Sequence, residues 1–297
     1  MASPSTPTHG RLAALYRMRP HGFKGDGLND VTWGTGFAGA DSSYFEVVID
    51  AEDTPDTFKW RQDGGGWTED VAITGAAQTL ADSQTITFAA TTGHTLSDQW
   101  VIGNLKDEPT SESGAEAQIT DTLMRLLNPN TPPTFTDDGG ESVLTIDYTQ
   151  GKATFSGNVG NVDVDGNDGY IVEAALEQVG YCFGWNLDFN VDMADASRLG
   201  QKWKEAIPGQ AGATIKADSY LIMVDTFFDG LVASADGSLK YLLLELFNYD
   251  PDQDQTGDHF ICWAGVTGLN VSAPIGDVVK ESVSFSLLGM PSHKANA

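Results

Sequence analysis

Tyr181-Cys-Phe-Gly-Trp-Asn-Leu-Asp-Phe-Asn-Val-Asp192 is the stretch that decides the fold class. Tyr181, Phe183, Trp185, Leu187, Phe189 and Val191 alternate without a break with Cys182, Gly184, Asn186, Asp188, Asn190 and Asp192. Successive side chains of a strand point to opposite faces, so this period of two describes a long strand with one dry and one wet face. Downstream, Thr214–Thr226, Leu239–Asn248, His259–Val271 and Asp277–Leu288 read as further strands. A helix is expected before them. Asp195 can cap it, Leu199, Trp203 and Ala206/Ile207 fall at helical spacing, and Pro208-Gly209 ends it. The run Lys240–Phe247 is apolar on both faces and needs two covers, its own core and either a partner subunit or the 195–207 helix.

Upstream, Tyr44–Asp50, Thr57–Arg61, Trp67–Ile73, Thr85–Ala89 and Gln99–Ile102 are short, rich in β-branched and aromatic residues, and separated by turn signals such as Asp63-Gly-Gly-Gly66. They predict a small Ig-like β-sandwich module over residues 35–105. Residues 106–142 read as a linker, polar over Asp107–Ala117 and full of breakers over Asn128–Pro133, with one short helix at Ile119–Leu127. The expected class is all-β with one prominent helix: a basic arm at 1–34, the module at 35–105, the linker at 106–142 and a larger β domain at 143–297.

The 297 residues include 42 acids against 16 lysines and arginines, a net charge of −26. A chain this acidic repels a phosphate backbone, which argues against a DNA-gripping protein. A hydrophobic fraction of 40% rules out disorder of the whole chain. Residues 1–24 carry Arg11, Arg17, Arg19 and Lys24 and no acid. Such asymmetry fits a basic arm that reaches an acidic surface on a neighbouring copy, or simply a solvated terminus. No secretory signal is read at the N-terminus, and the longest apolar runs fall far short of a membrane span. Cys182 and Cys262 read as buried free thiols.

Specific chemical motifs are missing. Gly34-Thr-Gly-Phe-Ala-Gly39 fits the dinucleotide fingerprint, but a strand rather than a helix follows it. Asp163–Asp168 and Asp252–Asp258 resemble the start of calcium loops, but Ala174 and Trp263 stand where the closing carboxylate is needed. The five histidines are scattered and no nucleophile elbow occurs, so no catalytic, metal or cofactor residue is assigned.

Three stretches resemble the major tail tube protein of long, non-contractile-tailed bacteriophages. Ser272–Pro291 is similar to that family's closing strand, in which a small-Pro-x-Gly-Asp turn leads into an alternating strand ending near Gly-x-Pro. The Trp185–Tyr220 unit resembles the tube fold's helix packed on a β-sandwich. Asp56–Trp60, Gly64–Trp67 and Thr92-Gly-His94…Asp98-Gln-Trp100 resemble a β-module recurring in phage tail proteins. The resemblance implies a structural virion protein without catalysis or cofactor, assembled in the host bacterial cytoplasm. Homo-hexameric rings stack head-to-tail into a tube, with tape measure, tail terminator and tail tip proteins as further partners. DNA is ejected through the lumen without specific binding, and nothing inserts into a membrane. In such a tube, strands of every subunit close into an inner β-barrel, which makes Asn186, Asp188, Asn190 and Asp192 lumen-facing candidates unless that face meets solvent outside. Arg11, Arg17, Arg19 and Lys24 are the inter-subunit arm candidates. The competing readings are a carbohydrate-binding or adhesin-like β-protein, with Trp60, Trp67 and Trp100 as platforms, and a secreted calcium-loaded β-enzyme.

Overall fold

A computed structural model of the chain describes residues 13–17, 20–182, 184–195, 206–220, 242–247, 259–272 and 280–294. They form nineteen β-strands and three single turns of 3-10 helix. The chain divides into two compact units, residues 17–177 and residues 1–16 with 178–297.

After β1 (Ala13–Arg17), the 17–177 unit contains β2 (Val31–Trp33), β3 (Ser43–Ala51), β4 (Thr57–Gln62), β5 (Thr68–Ala72), β6 (Gln78–Thr79), β7 (Thr85–Phe88), β8 (Gln99–Ser113), β9 (Glu116–Ile119), β10 (Thr134–Asp137), β11 (Val143–Asp147), β12 (Lys152–Phe155) and β13 (Val162–Tyr170). The predicted strands of the module are all present. They form a small sheet, β2-β7-β6, and part of a large one, β11-β12-β9-β8-β3-β4-β5, with β13 paired to β8 and β10 to β13. Two cores share β8. Its Trp100 and Ile102 pack with Phe45, Phe58, Ile86 and Phe88, and its Leu105 with Ile119, Phe155, Val164 and Tyr170.

The linker is therefore a correction. Position 105 falls inside β8, and residues 106–142 build strands and core, as do 143–170 of the expected larger domain. Polarity misled because the polar side chains point inward as well as outward. Asp107, Pro109, Ser111 and Ser113 face solvent, while Glu108, Thr110 and Glu112 turn inward. Thr110 Oγ1 donates to Glu112 Oε1 at 2.7 Å and to the Val162 carbonyl at 2.8 Å. Paired in this way, buried polar groups substitute for apolar ones. The Ile119–Leu127 helix is a second correction. Ile119 closes β9, and only Thr122–Met124 forms a turn, capped where the Asp121 carboxylate accepts the Leu123 N–H at 2.8 Å. Leu123 is exposed.

The described residues of the other unit form a single sheet. With β1, it comprises β14 (Glu177–Cys182), β15 (Gly184–Asp195), β16 (Ala206–Tyr220), β17 (Leu242–Phe247), β18 (His259–Ser272) and β19 (Lys280–Lys294), in the order β14-β1-β17-β18-β19-β16-β15. Residues 196–205 of the expected helix lie outside the described residues. Both of its ends are strand, with Asp195 paired to Ala206 and Ala194 to Ile207. Pro208 sits inside β16 beside a register shift and before the pairing with β19 begins at Thr214, where its missing N–H costs no ladder bond. Leu242, Leu243, Leu244 and Leu246 of β17 are all buried within one chain, so this doubly apolar strand needs no partner subunit to cover it. Cys262 is a buried free thiol, pushed up to about 12 by burial, while the side chain of Cys182 lies outside the described residues.

Within 1–34, the described residues are not a free arm. β1 pairs with β17, Ala13 opposite Leu246 and Tyr16 opposite Leu243. Among the described residues, no helix is long and apolar enough to cross a membrane.

One buried carboxyl gives the 17–177 unit a pH dependence. Burial pushes Asp168 up to about 7 against donation from Thr131 and Asn128. The folded unit keeps a proton that the unfolded chain releases near its ordinary value of 3.8. Stability therefore falls as pH rises between those two values and levels off above the higher one. Denaturant midpoints measured for wild type and Asp168→Asn should diverge across that window, with the wild type losing ground, and run parallel above it.

Candidate functional site

The strongest candidate surface is the wet face of the single sheet. Over residues 212–218 of β16 the alternation is unbroken: Ala213, Ile215 and Ala217 are buried, while Gly212, Thr214, Lys216 and Asp218 are exposed. Antiparallel pairing carries that alternation across four strands. Asp188 lies opposite Thr214, Thr214 opposite Ser286, and Ser286 opposite Gly265. The next row is Asn186, Lys216, Ser284 and Gly268, and the third is Gly184, Asp218, Ser282 and Asn270. Behind them the rows Leu187–Ile215–Phe285–Val266 and Trp185–Ala217–Val283 face the core with Leu242, Leu244 and Leu246.

Of the expected lumen candidates, Asn186, Asp188 and Asn190 are exposed together on this face, and Asn186 Nδ2 donates to Asp188 Oδ2 at 3.1 Å. Asp192 is in β15, its side chain outside the described residues. Thr214, Lys216, Asp218, Ser282, Ser284 and Ser286 were missed, although Thr214–Asp218 and Ser282–Ser286 alternate as cleanly as β15 does. With them the face is less acidic than β15 alone suggests: hydroxyls, amides and glycines dominate, and Lys216 stands between Asp188 and Asp218. Small neutral groups of this kind offer a phosphate no ion pair.

β15 also ends the sheet order, as β14 does on the other side. An edge strand presents unpaired backbone donors and acceptors to another strand. On its dry side Phe189 is 60% exposed, an overhang beyond the core.

Of the arm candidates, Arg11 and Arg19 lie outside the described residues, Arg17 ends β1, and Lys24 exchanges two backbone hydrogen bonds of 2.8 Å with Gln99. The tryptophans divide. Trp100 is fully buried and Trp60 packs against the same core, while Trp67 lies under Lys59 and Arg61, 5.0 and 4.4 Å from its ring centre. Asp165 of the first calcium-like stretch takes Lys106 Nζ at 3.2 Å, and Asp252–Asp258 lies outside the described residues.

No protein-family model and no curated protein matches the chain. Ten chains of solved structures do. One belongs to the tail of an empty gene transfer agent particle, computed with helical refinement in C6 symmetry, at 16% identity and a TM-score of 0.32, covering 41% of this chain and 87% of that one. Another belongs to the virion of a native gene transfer agent particle, at 16% identity and a TM-score of 0.32, covering 42% and 92%. Likeness at this level carries no argument, and the site rests on its own geometry.

The two sides of the face should respond differently to substitution. Phe285→Ala empties a fully buried position and should cost about 3–5 kcal/mol. Phe189→Ser, on the overhang, should change stability by less than about 1 kcal/mol. Chemical denaturation of the two variants checks this.

Proposed function

We propose that this chain is a structural protein of a phage-like tail, and that its single-sheet unit polymerises into stacked hexameric rings forming a tube for DNA ejection. The observation that carries the reading is the four-strand face of aligned small polar residues, backed by a dry core, in a sheet whose order ends, among the described strands, at β14 and β15. A sheet with open edges on both sides can extend from copy to copy by adding strands, and a closed ring removes the edges altogether. The exposed Phe189 is then an inter-subunit contact. In the closed barrel the polar face lines the channel, where hydroxyls and sparse charge let DNA pass without holding it. The closing-strand resemblance of Ser272–Pro291 points the same way. On this reading the protein is a component of the virion, catalyses nothing, and meets the tape measure, terminator and tip proteins at the ends of the tube.

An adhesin would use exposed aromatic platforms, and two of the three candidate tryptophans are packed into a core.

Negative-stain microscopy of the purified full-length protein tests the proposal. Rings or tubes are expected, and a monodisperse monomer at high concentration would overturn it. The channel assignment has its own test. Replacing Asp188 and Asp192 together with lysine should leave tubes intact but slow DNA ejection from assembled tails, because the new cations bind phosphate. Unchanged ejection kinetics would place this face elsewhere.

A further inference from the structure

The Thr92-Gly-His94…Asp98-Gln-Trp100 stretch plays no part in the assembly reading, yet the side chains of His94, Asp98 and Trp100 each hold one short piece of chain, residues 24–30. Trp100 Nε1 donates to Asn29 Oδ1 at 3.0 Å, and Asp98 Oδ1 accepts the Gly27 N–H at 3.2 Å. The backbones of Lys24 and Gln99 exchange their two bonds beside them. A Cβ on Gly25 or Gly27 would collide with the Asp98 carboxylate, so the approach depends on those two glycines. His94 makes the last grip. Its side chain is wholly buried, with Nε2 3.0 Å from Asp30 Oδ1 and Nδ1 3.0 Å from Asp56 Oδ2. The rings of Phe88 and Trp100 meet it edge-on at 5.3 and 6.1 Å.

The donors in this array do not balance without an added proton. Asp56 Oδ2 also accepts the His94 backbone N–H at 3.1 Å, and Asp30 Oδ2 accepts the Ala90 N–H at 2.6 Å. Ionised carboxylates only accept, and a neutral imidazole donates from one nitrogen alone. Closing both ring contacts takes one proton more than a neutral imidazole and two carboxylates supply. With Nδ1 donating to Asp56, the added proton falls between His94 Nε2 and Asp30 Oδ1, whichever atom carries it.

We propose that this shared proton is a latch that fastens residues 24–30, the root of the basic N-terminal stretch, to the β-module. When it leaves, two lone pairs face each other across 3.0 Å in a buried site, and the Asp30 contact opens. The charged groups set around the ring are Asp30 from the stretch ahead of β2, Asp56 from the β3–β4 turn and, further along the motif, Asp98 just ahead of β8. Phe88 of β7 and Trp100 of β8 supply the uncharged walls. The latch does not depend on the tube reading.

Amide hydrogen exchange on the full chain, followed from about pH 6 to about pH 10, tests it. After correction for intrinsic exchange, protection at Gly27, Ala90 and His94 should fall about tenfold per pH unit once the array titrates, since one proton is linked to opening. Amides in the middle of β3 should hold. Asp30→Asn should abolish this dependence: its Nδ2 donates to a neutral Nε2, its Oδ1 still accepts Ala90, and no extra proton is needed. Protection in the wild type that stays constant across the range, or an Asp30→Asn protein that opens at the same pH as the wild type, would overturn the latch. Nitrogen-15 spectra of the His94 ring in the wild type locate the proton directly, even if the variant does not fold. A neutral imidazole beside an ionised Asp30 in the closed state contradicts the proposal.

Discussion

The register of β15, β16, β19 and β18 is the constraint on which the single-sheet unit depends. Four strands are paired so that Leu187, Ile215, Phe285 and Val266 fall in one row and Asp188, Thr214, Ser286 and Gly265 in the next. A slip of one residue in any of them would send Ile215 or Phe285 into water and bring Lys216 or a serine into the core. Burial of the dry rows fixes the register, and the register in turn makes the wet face continuous. Neither could be altered alone.

That dependence explains what the sequence discloses and what it conceals. The alternation of Tyr181–Asp192 is a local property and can be read directly, as are the strands of the β-module. Which residues of other strands share the face of Asp188 is a long-range property. Ser286 lies almost a hundred residues further on, and only pairing through Thr214 places them in one row. The 106–142 stretch was hidden for a different reason. Glu108, Thr110 and Glu112 are inward-facing yet polar, and hydropathy cannot tell a polar group satisfied inside from one dissolved outside. Pro208 likewise argues against a central strand unless the strand has no second neighbour at that position. His94 offered no local signal at all, since both of its carboxylate partners lie far away in sequence.

The largest departure from the sequence reading concerns order along the chain. β1 and β14 are neighbours in one sheet, although some 160 residues separate them. The whole 17–177 unit therefore occupies the connection between two adjacent strands. A reading from left to right takes the first residues as a loose arm, because the partner of β1 on its other side, β17, appears only after residue 241. Loop-closure entropy grows slowly with length, so a folded insertion between adjacent strands costs the sheet little more than a short loop does.

Such an insertion narrows where copies of the chain can meet. β1 is flanked by β14 and β17, so an interior position is already filled by the N-terminal stretch, and its backbone has no donors left for a neighbour. The same holds for Lys24, whose backbone is spent on Gln99. Within this sheet, main-chain addition of a second copy is left to β14 and β15 among the described strands. Of the two, β15 is the longer strand and carries the overhanging Phe189. Charge repulsion between bodies this acidic opposes their approach at long range and is screened beyond about 8 Å at physiological ionic strength. For copies to associate there, short-range hydrogen bonding and apolar contact along that edge would have to outweigh it.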